Sequence, residues 1–174
     1  MIHLLSPAQC LGYVAFVLGV AAFSQKSDRR LKLLNAGECV AYAIHFALLG
    51  HPSASASAMV SAVRSFLSVR SRSPFLAMLL IGVNITVGVV FSRSGAGWLP
   101  VIASAAATVA IFVLGGIPMR LVLLACTFLW LVNNVLCRSV GGVALESTIA
   151  VASVTTIVRL ALSRGRMPVV RGST

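Results

Sequence analysis

The sequence predicts an all-α polytopic membrane protein with seven transmembrane helices. Hydrophobic residues make up 59% of the chain and charged residues only 10%, whereas an ordinary soluble domain is about half apolar and about a quarter charged. Several apolar runs approach the roughly 17–25 residues that a helix needs to cross a bilayer. Basic residues concentrate in alternate connectors, which is typical of a chain that crosses a membrane repeatedly.

Turn residues or charges separate the apolar runs from one another. The N-terminal segment lacks the positive region of a signal peptide, so we count the first run as a helix. The third run is rich in Ser and Ala, and hydropathy alone would miss it. The seven predicted spans cover residues 7–24, 31–50, 53–69, 75–92, 99–115, 119–137 and 143–162.

The distribution of basic residues orients these spans. If the N-terminus is outside, the outer connectors contain only Arg93 and Arg138. Cytoplasmic connectors normally carry the excess of Lys and Arg, so we expect the N-terminus outside and the C-terminus in the cytoplasm. The inner connectors and tail then contain Lys26, Arg29, Arg30, Lys32, Arg70, Arg72, Arg120, Arg164, Arg166 and Arg171.

Two parts of the chain align as an internal repeat. Residues 31–50 align with 119–138 at a constant offset, and residues 53–67 align with 148–162 at a slightly larger one. Three helices, one linker helix and three further helices give both triplets the same orientation, which makes the repeats parallel. The aligned polar pairs are Lys32 with Arg120, Tyr42 with Trp130, His45 with Asn133, and Arg64 with Arg159.

This 3+1+3 arrangement resembles the SWEET and PQ-loop class of small transporters in architecture, although the proline–glutamine signature of that class is absent. It divides the chain into a first three-helix repeat at 1–73, a linker helix with an outer loop at 74–98, and a second repeat with a cytoplasmic tail at 99–174. A shared architecture does not imply a shared function.

Composition argues against several classes of function. The net charge of +11 would suit nucleic acid, but no basic run is long and the charges lie between apolar segments, so membrane topology explains them. The four cysteines have no CxxC spacing and are read as small buried hydrophobes. With three carboxylates and no nucleophile–base spacing, we expect no enzyme, no catalytic residue, no metal and no cofactor.

Polar residues inside two of the spans form stripes. In the second span Asn35, Glu38, Tyr42 and His45 lie within an arc of about 80°, and the sixth span has an equivalent polar face. We expect these stripes to line a central cavity for a small neutral polar ligand. Hydrogen-bonded helix packing is the alternative. The hypothesised ligand-binding residues are Tyr42, His45, Trp130, Asn133 and Asn134.

Ionisable residues in the spans supply a second hypothesis, which is gating or ion pairing by Glu38, Arg64, Glu146 and Arg159. The two arginines lie near the inner ends of their spans, where they would either clamp cytoplasmic carbonyls or snorkel to the interface. Glu146 should lie near the outer mouth and pair with Arg138 or His51. His45 would either cap a helix end or take part in proton coupling.

Motifs in both halves match one known family in order and spacing. The first half contains His45-Phe46, Leu48-Leu49-Gly50, Ala54 to Ala58, Ala62, Arg64 and Arg70 to Ser73. The second half contains Leu99-Pro100-Val101-Ile102, Met119-Arg120, Trp130, Asn134, Gly141-Gly142, Glu146 and Arg159. On these residues the chain resembles the YgjV-like bacterial inner-membrane protein family. The resemblance implies a multi-pass protein of the bacterial inner membrane and supplies no reaction.

Two functions stay open at this point. The parallel repeat and the paired stripes favour a transporter or facilitator of a small polar solute. The alternative is a non-transporting receptor, assembly factor or partner subunit. Small residues in the third span also permit a homo-oligomer surface. The expected partners are the lipid bilayer and an unidentified small polar solute, and not nucleic acid.

The predicted topology can be tested with single cysteines in a variant that lacks the native ones. We expect Ala96→Cys and Gly172→Cys to react with a membrane-impermeant thiol reagent from opposite sides of the membrane, because three spans separate them. Labelling of intact and permeabilised cells measures this, and reaction of both from the same side would contradict the seven-span topology.

Overall fold

The computed structural model describes residues 7–92, 95–136 and 140–165. These residues form seven α-helices and a short 3-10 turn at Gly95–Gly97. The predicted all-helical architecture with seven helices is therefore confirmed, and the helices coincide with the predicted spans to within a few residues. The helices are α1 (Pro7–Phe23), α2 (Asp28–Leu48), α3 (Pro52–Arg70), α4 (Pro74–Phe91), α5 (Trp98–Val113), α6 (Gly116–Leu136) and α7 (Val140–Gly165).

Local sequence accounts for several of the helix boundaries. Proline opens α3 and α4, where its fixed φ and missing N–H are tolerated. The side chains of Ser27 and Ser73 accept hydrogen bonds from backbone N–H groups in the first turns of α2 and α4. Gly50 ends the α2 segment with φ 75°, and the His51 N–H donates to the Phe46 carbonyl at 2.9 Å. This is the hydrogen-bond pattern of a Schellman motif, which favours glycine at the left-handed position.

Six of the helices pack into a closed ring. Along the ring α1 contacts α2, α2 contacts α3, α3 contacts α5, α5 contacts α6, α6 contacts α7, and α7 returns to α1. The remaining helix, α4, packs on the outside against α3 and α5. Because short connectors make consecutive helices antiparallel, the α1–α2, α3–α4 and α5–α6 connectors lie at one end of the ring. We call this the basic end, since it holds Lys26, Arg72 and Arg120.

Four helical segments among the described residues are long and apolar enough to cross a membrane. They are 74–91, 95–113, 116–136 and 141–163, and α1 contributes a shorter apolar stretch at Cys10–Phe23. Large apolar side chains such as Phe75, Val89 and Val151 are exposed on the outer surface, as expected for contact with lipid tails.

Helices α2 and α3 are not among the segments that are apolar enough to cross a membrane. The burial of their polar side chains explains their lower hydropathy. In α2 the side chains of Lys32, Asn35, Glu38 and His45 are all buried, and in α3 Arg64 is 4% exposed. A helix that turns a polar face to the interior of a bundle has a low mean hydropathy, although no polar side chain faces lipid. The sequence indicated a low hydropathy for the third predicted span, which is α3, but we did not expect one for α2.

Close approach of α4 and α5 depends on Gly88. A Cβ atom there would lie 2.9 Å from a ring carbon of Trp98 and 3.1 Å from both methyl carbons of Val101. One turn away, Asn84 donates a 2.7 Å hydrogen bond from Nδ2 to the Val101 carbonyl. Asn84 therefore contributes to the packing of α4 on α5.

We expect Gly88→Ala to lower the free energy of unfolding by about 1–3 kcal/mol, because the added methyl group overpacks the α4–α5 contact. Gly82→Ala is the matched control, since nothing lies within 4 Å of a Cβ atom at that exposed position. Thermal unfolding of both purified variants in detergent measures the difference. Equal melting temperatures would contradict the close approach.

Candidate functional site

A narrow cavity of about 50 Å³ lies inside the helix ring. Its charged lining residues are Glu38 from α2, Arg64 from α3 and Glu146 from α7, and each is at most 6% exposed. Two of the hypothesised ligand-binding residues, Tyr42 and Trp130, also line it, and the rest of the lining combines apolar side chains with the polar and thiol groups of Asn35, Cys39, Ser61, Cys126 and Thr127. Since one buried water needs about 10–15 Å³ of such cavity volume, the space holds only a few non-hydrogen atoms.

The charged side chains in this cavity form one electrostatic cluster. Glu38 is close enough to interact electrostatically with both Arg64 and Glu146. Arg64 donates from Nη1 to the Ser104 carbonyl of α5 at 2.8 Å, whereas its buried Nε has no hydrogen-bond partner. The Cys39 thiol donates to Glu38 Oε2 at 3.6 Å. Two carboxyl groups and one guanidinium therefore line the same cavity inside the ring.

An aromatic layer covers this cavity on the side away from the basic end. We define the layer as Tyr42, His45 and Phe46 of α2 and Trp130 of α6. The ring centroids of Tyr42 and Phe46 are 4.5 Å apart, and Trp130 lies 5.9 Å from Tyr42 and 6.0 Å from Phe46. His45 stacks on Tyr42 at 5.8 Å with an interplanar angle of 7°.

Hydrogen bonds join this layer to α6. Asn134 Nδ2 donates to the Tyr42 hydroxyl at 2.9 Å, and that hydroxyl donates to Asn134 Oδ1 at 3.2 Å. The two predicted polar stripes therefore do meet, at Tyr42, Trp130 and Asn134. The side chains of the two stripes touch each other at this level of the bundle, so it forms a packed layer. The open volume of the cavity lies nearer the basic end.

At the basic end, Lys32 ties three helices together. Its ammonium group is buried and donates to the Ser68 carbonyl near the end of α3 at 3.3 Å and to the Ile111 carbonyl near the end of α5 at 3.0 Å. The last carbonyls of a helix lack intrahelical partners and carry the negative end of the helix dipole. A lysine from α2 is therefore well placed to hold α3 and α5 at this end.

A second set of contacts binds α6 to the start of α2. Arg120 pairs with Asp28 at 2.9 Å and also donates to the Lys26 carbonyl at 3.1 Å. The other carboxylate oxygen of Asp28 accepts from the backbone N–H of Gly116 at 2.9 Å, at the start of α6. We call Asp28, Lys32 and Arg120 together the basic latch.

Two hypothesised ligand-binding residues do not line the central cavity. His45 packs against Gly12 of α1 and borders a separate cavity of about 260 Å³ with Gly142 of α7. Asn133 borders another one of about 300 Å³ at the end opposite the latch, beside His51 and Pro100. In this structure, therefore, His45 and Asn133 border different cavities from the one that Trp130 lines, and Tyr42 borders both the central cavity and that of His45.

Two hypothesised gating residues, Arg64 and Glu146, also differ from their predicted placement. Arg64 is buried inside the ring instead of reaching the interface, whereas its aligned partner Arg159 is exposed beside Lys26 at the basic end. Glu146 lies in the central cavity and not at the outer mouth. Its predicted partner Arg138 lies outside the described residues, and its alternative partner His51 borders a different cavity.

The sequence did not predict the contacts of the basic latch: Lys32 and Arg120 were interpreted as topology charges and as an aligned pair of the repeat, and Asp28 was given no role. One signal was available. Lys32 begins an apolar run instead of preceding it, and the repeat aligns it with Arg120. Basic residues at equivalent places in two predicted spans indicate interior contacts.

The contact between Tyr42 and Asn134 can be measured by a double-mutant cycle. We expect Tyr42→Phe and Asn134→Ala to be coupled by about 0.6–1.7 kcal/mol, the range for side-chain hydrogen bonds between membrane helices. Pairing Tyr42→Phe with Asn133→Ala serves as the control. Thermal unfolding provides the free energies, and additive effects for Tyr42 and Asn134 would contradict the hydrogen bond.

Comparison with known proteins agrees with this architecture. The family model described as Imp-YgjV, bacterial inner membrane protein, matches residues 6–164. The chain is 30% identical over 152 residues to the inner membrane protein YgjV of Escherichia coli strain K12, covering 87% of this chain and 83% of that protein. No solved structure matches. On the extent of these matches, the chain belongs to the Imp-YgjV family of bacterial inner membrane proteins.

Proposed function

We propose that this protein is a transporter or facilitator that carries a small polar solute through the cavity inside the helix ring. The observation that carries the proposal is the convergence of Glu38, Arg64 and Glu146, from three different helices, on one cavity. Ionisable side chains are expensive inside a membrane and usually mark a solute or ion pathway. Helix packing alone could be achieved with uncharged side chains, because an apolar replacement of a buried ion pair is often as stable.

The order of helix packing supports two parallel three-helix repeats joined by α4. Exchanging α1 with α5, α2 with α6 and α3 with α7 leaves the ring contacts unchanged: α1–α2 becomes α5–α6, α2–α3 becomes α6–α7, and α3–α5 becomes α7–α1. A two-fold axis along the membrane normal would produce this pattern. Transporters built from repeats rock the two halves against each other around a site between them.

The cavity would be closed at both ends in this conformation. By the positive-inside rule the basic end faces the cytoplasm, which places the N-terminus outside in a seven-span chain. The basic latch would then close the cytoplasmic side, and the aromatic layer would close the outer side. Transport requires that these two closures open in turn.

The equivalent positions of Lys32 and Arg120 in the two repeats support the proposal that the basic latch closes the cytoplasmic side. Lys32 and Arg120 occupy aligned positions in α2 and α6, and each donates to main-chain carbonyls beyond its own helix. Rocking of one triplet against the other would separate Lys32 from Ile111 in α5, and Arg120 from Lys26 in the α1–α2 connector. Each lost charge-assisted hydrogen bond costs about 1.5–3 kcal/mol, enough to favour the closed state.

The native cysteine Cys39 tests the proposal without knowledge of the solute. It is buried and lines the cavity. In a variant with Cys10, Cys126 and Cys137 replaced by Ala, we expect a small charged thiol reagent to modify Cys39 slowly from either side of oriented membrane vesicles. Lys32→Met should accelerate labelling from the cytoplasmic side about tenfold or more, because the closed state loses the Lys32–Ile111 hydrogen bond between the two triplets.

Methionine is chosen because it keeps the unbranched apolar stem and leaves no unpaired buried charge. Thr155→Val is the matched control, since Thr155 is exposed on α7 and bonds only within its own helix. Mass spectrometry of the modified protein measures the rates. If Cys39 reacts from neither side, even after Lys32→Met, the transporter proposal fails and a partner-binding role in the membrane is favoured.

A further inference from the structure

We infer that the central cavity binds a small amino compound, such as glycine or its amide, that presents an ammonium group to Glu38 and Glu146 and a carbonyl or carboxylate oxygen to Arg64. The inference rests on the proposed function, because it names the class of solute that the cavity would carry. It follows from the donors, the acceptors, the charge and the size of the cavity.

The acceptors come from the two carboxylates. Glu38 and Glu146 lie on α2 and α7, interact electrostatically with each other, and are 6% and 5% exposed. Within the described part of the chain, the one hydrogen bond to this pair is from the Cys39 thiol to Glu38. Two carboxylates that share a dry site repel each other, and an ammonium group placed between them would relieve that repulsion.

The donor comes from Arg64. Its side chain is 4% exposed and lines the same cavity, and its Nε atom is buried without a hydrogen-bond partner. Nη1 donates to the Ser104 carbonyl, and the other N–H groups of this cavity-lining guanidinium are suited to an oxygen acceptor on a ligand, because buried polar groups are nearly always hydrogen-bonded. An inorganic cation would leave them unsatisfied, and a simple anion would leave the carboxylates unpaired.

Charge and size narrow the class further. The cavity has two carboxyl groups against one guanidinium, so it favours a ligand that can donate several hydrogen bonds to carboxyl oxygens, as an ammonium group does. A volume of about 50 Å³ corresponds to roughly three to five waters at about 10–15 Å³ each. Glycine has about this number of non-hydrogen atoms, whereas leucine is too large for this conformation.

The test measures binding to the purified full-length protein in detergent by calorimetric titration. The probes are glycine, glycinamide, leucine, methylammonium and acetate. We expect glycine or glycinamide to bind and the other three to bind at least tenfold more weakly or not at all. Methylammonium has only the ammonium group and acetate only the oxygen acceptors, so each isolates one half of the proposed recognition.

Variants of the cavity should weaken binding of the same probe. We expect Glu146→Gln and Arg64→Lys each to reduce its affinity about tenfold or more, because each removes a charge-assisted hydrogen bond. Thr155→Val, on the exposed face of α7, should leave affinity unchanged. If Glu146→Gln does not fold, Glu38→Gln tests the other member of the acidic pair.

Several results would overturn the inference. Binding of methylammonium as strong as that of glycine would indicate a simple cation site, and binding of acetate alone would indicate an anion site at Arg64. Leucine binding as tight as that of glycine would refute the proposed size of the ligand. Failure of all five probes to bind would refute its proposed chemical class. Labelling of Cys39 from both sides without glycine binding would refute this inference but not the proposed transport. Glycine binding without labelling of Cys39 would support the binding site and favour a receptor over a transporter.

Discussion

Burial of the polar face of α2 is the constraint on which the rest of the structure depends. This helix carries Lys32, Glu38 and His45 into the bundle, and none of them can face hydrocarbon at acceptable cost. The other helices must therefore surround α2 and supply partners at each level. The ring of six helices achieves this, with apolar side chains directed outward to lipid.

Each level along α2 uses a different interaction. At the basic end, Lys32 holds the carbonyl ends of α3 and α5. In the middle, Glu38 faces Arg64 and Glu146 across a small cavity. Beyond it, Tyr42 packs on Trp130 and bonds with Asn134. In the proposed transport, the first and third of these levels would be the two closures and the middle one the central site.

All three carboxylates of this chain take part in interior or latch contacts. Asp28 pairs with Arg120 at the basic end, while Glu38 and Glu146 share the cavity with Arg64. The other basic residues have no acidic partner available in the sequence, which agrees with a topological role for most of them. Acidic residues in this protein therefore mark the places where the interior is charged.

The sequence by itself determined the seven helices and their boundaries, because membrane length, proline and glycine act locally. It also identified Glu38, Arg64 and Glu146 as functional candidates, since charges inside apolar runs are rare. Only the tertiary structure decided which of them meet. Depth and helix rotation depend on packing between distant segments. The sequence therefore placed Glu146 at the mouth and Arg64 near the interface, and it did not show that His45, Asn133 and Trp130 border different cavities.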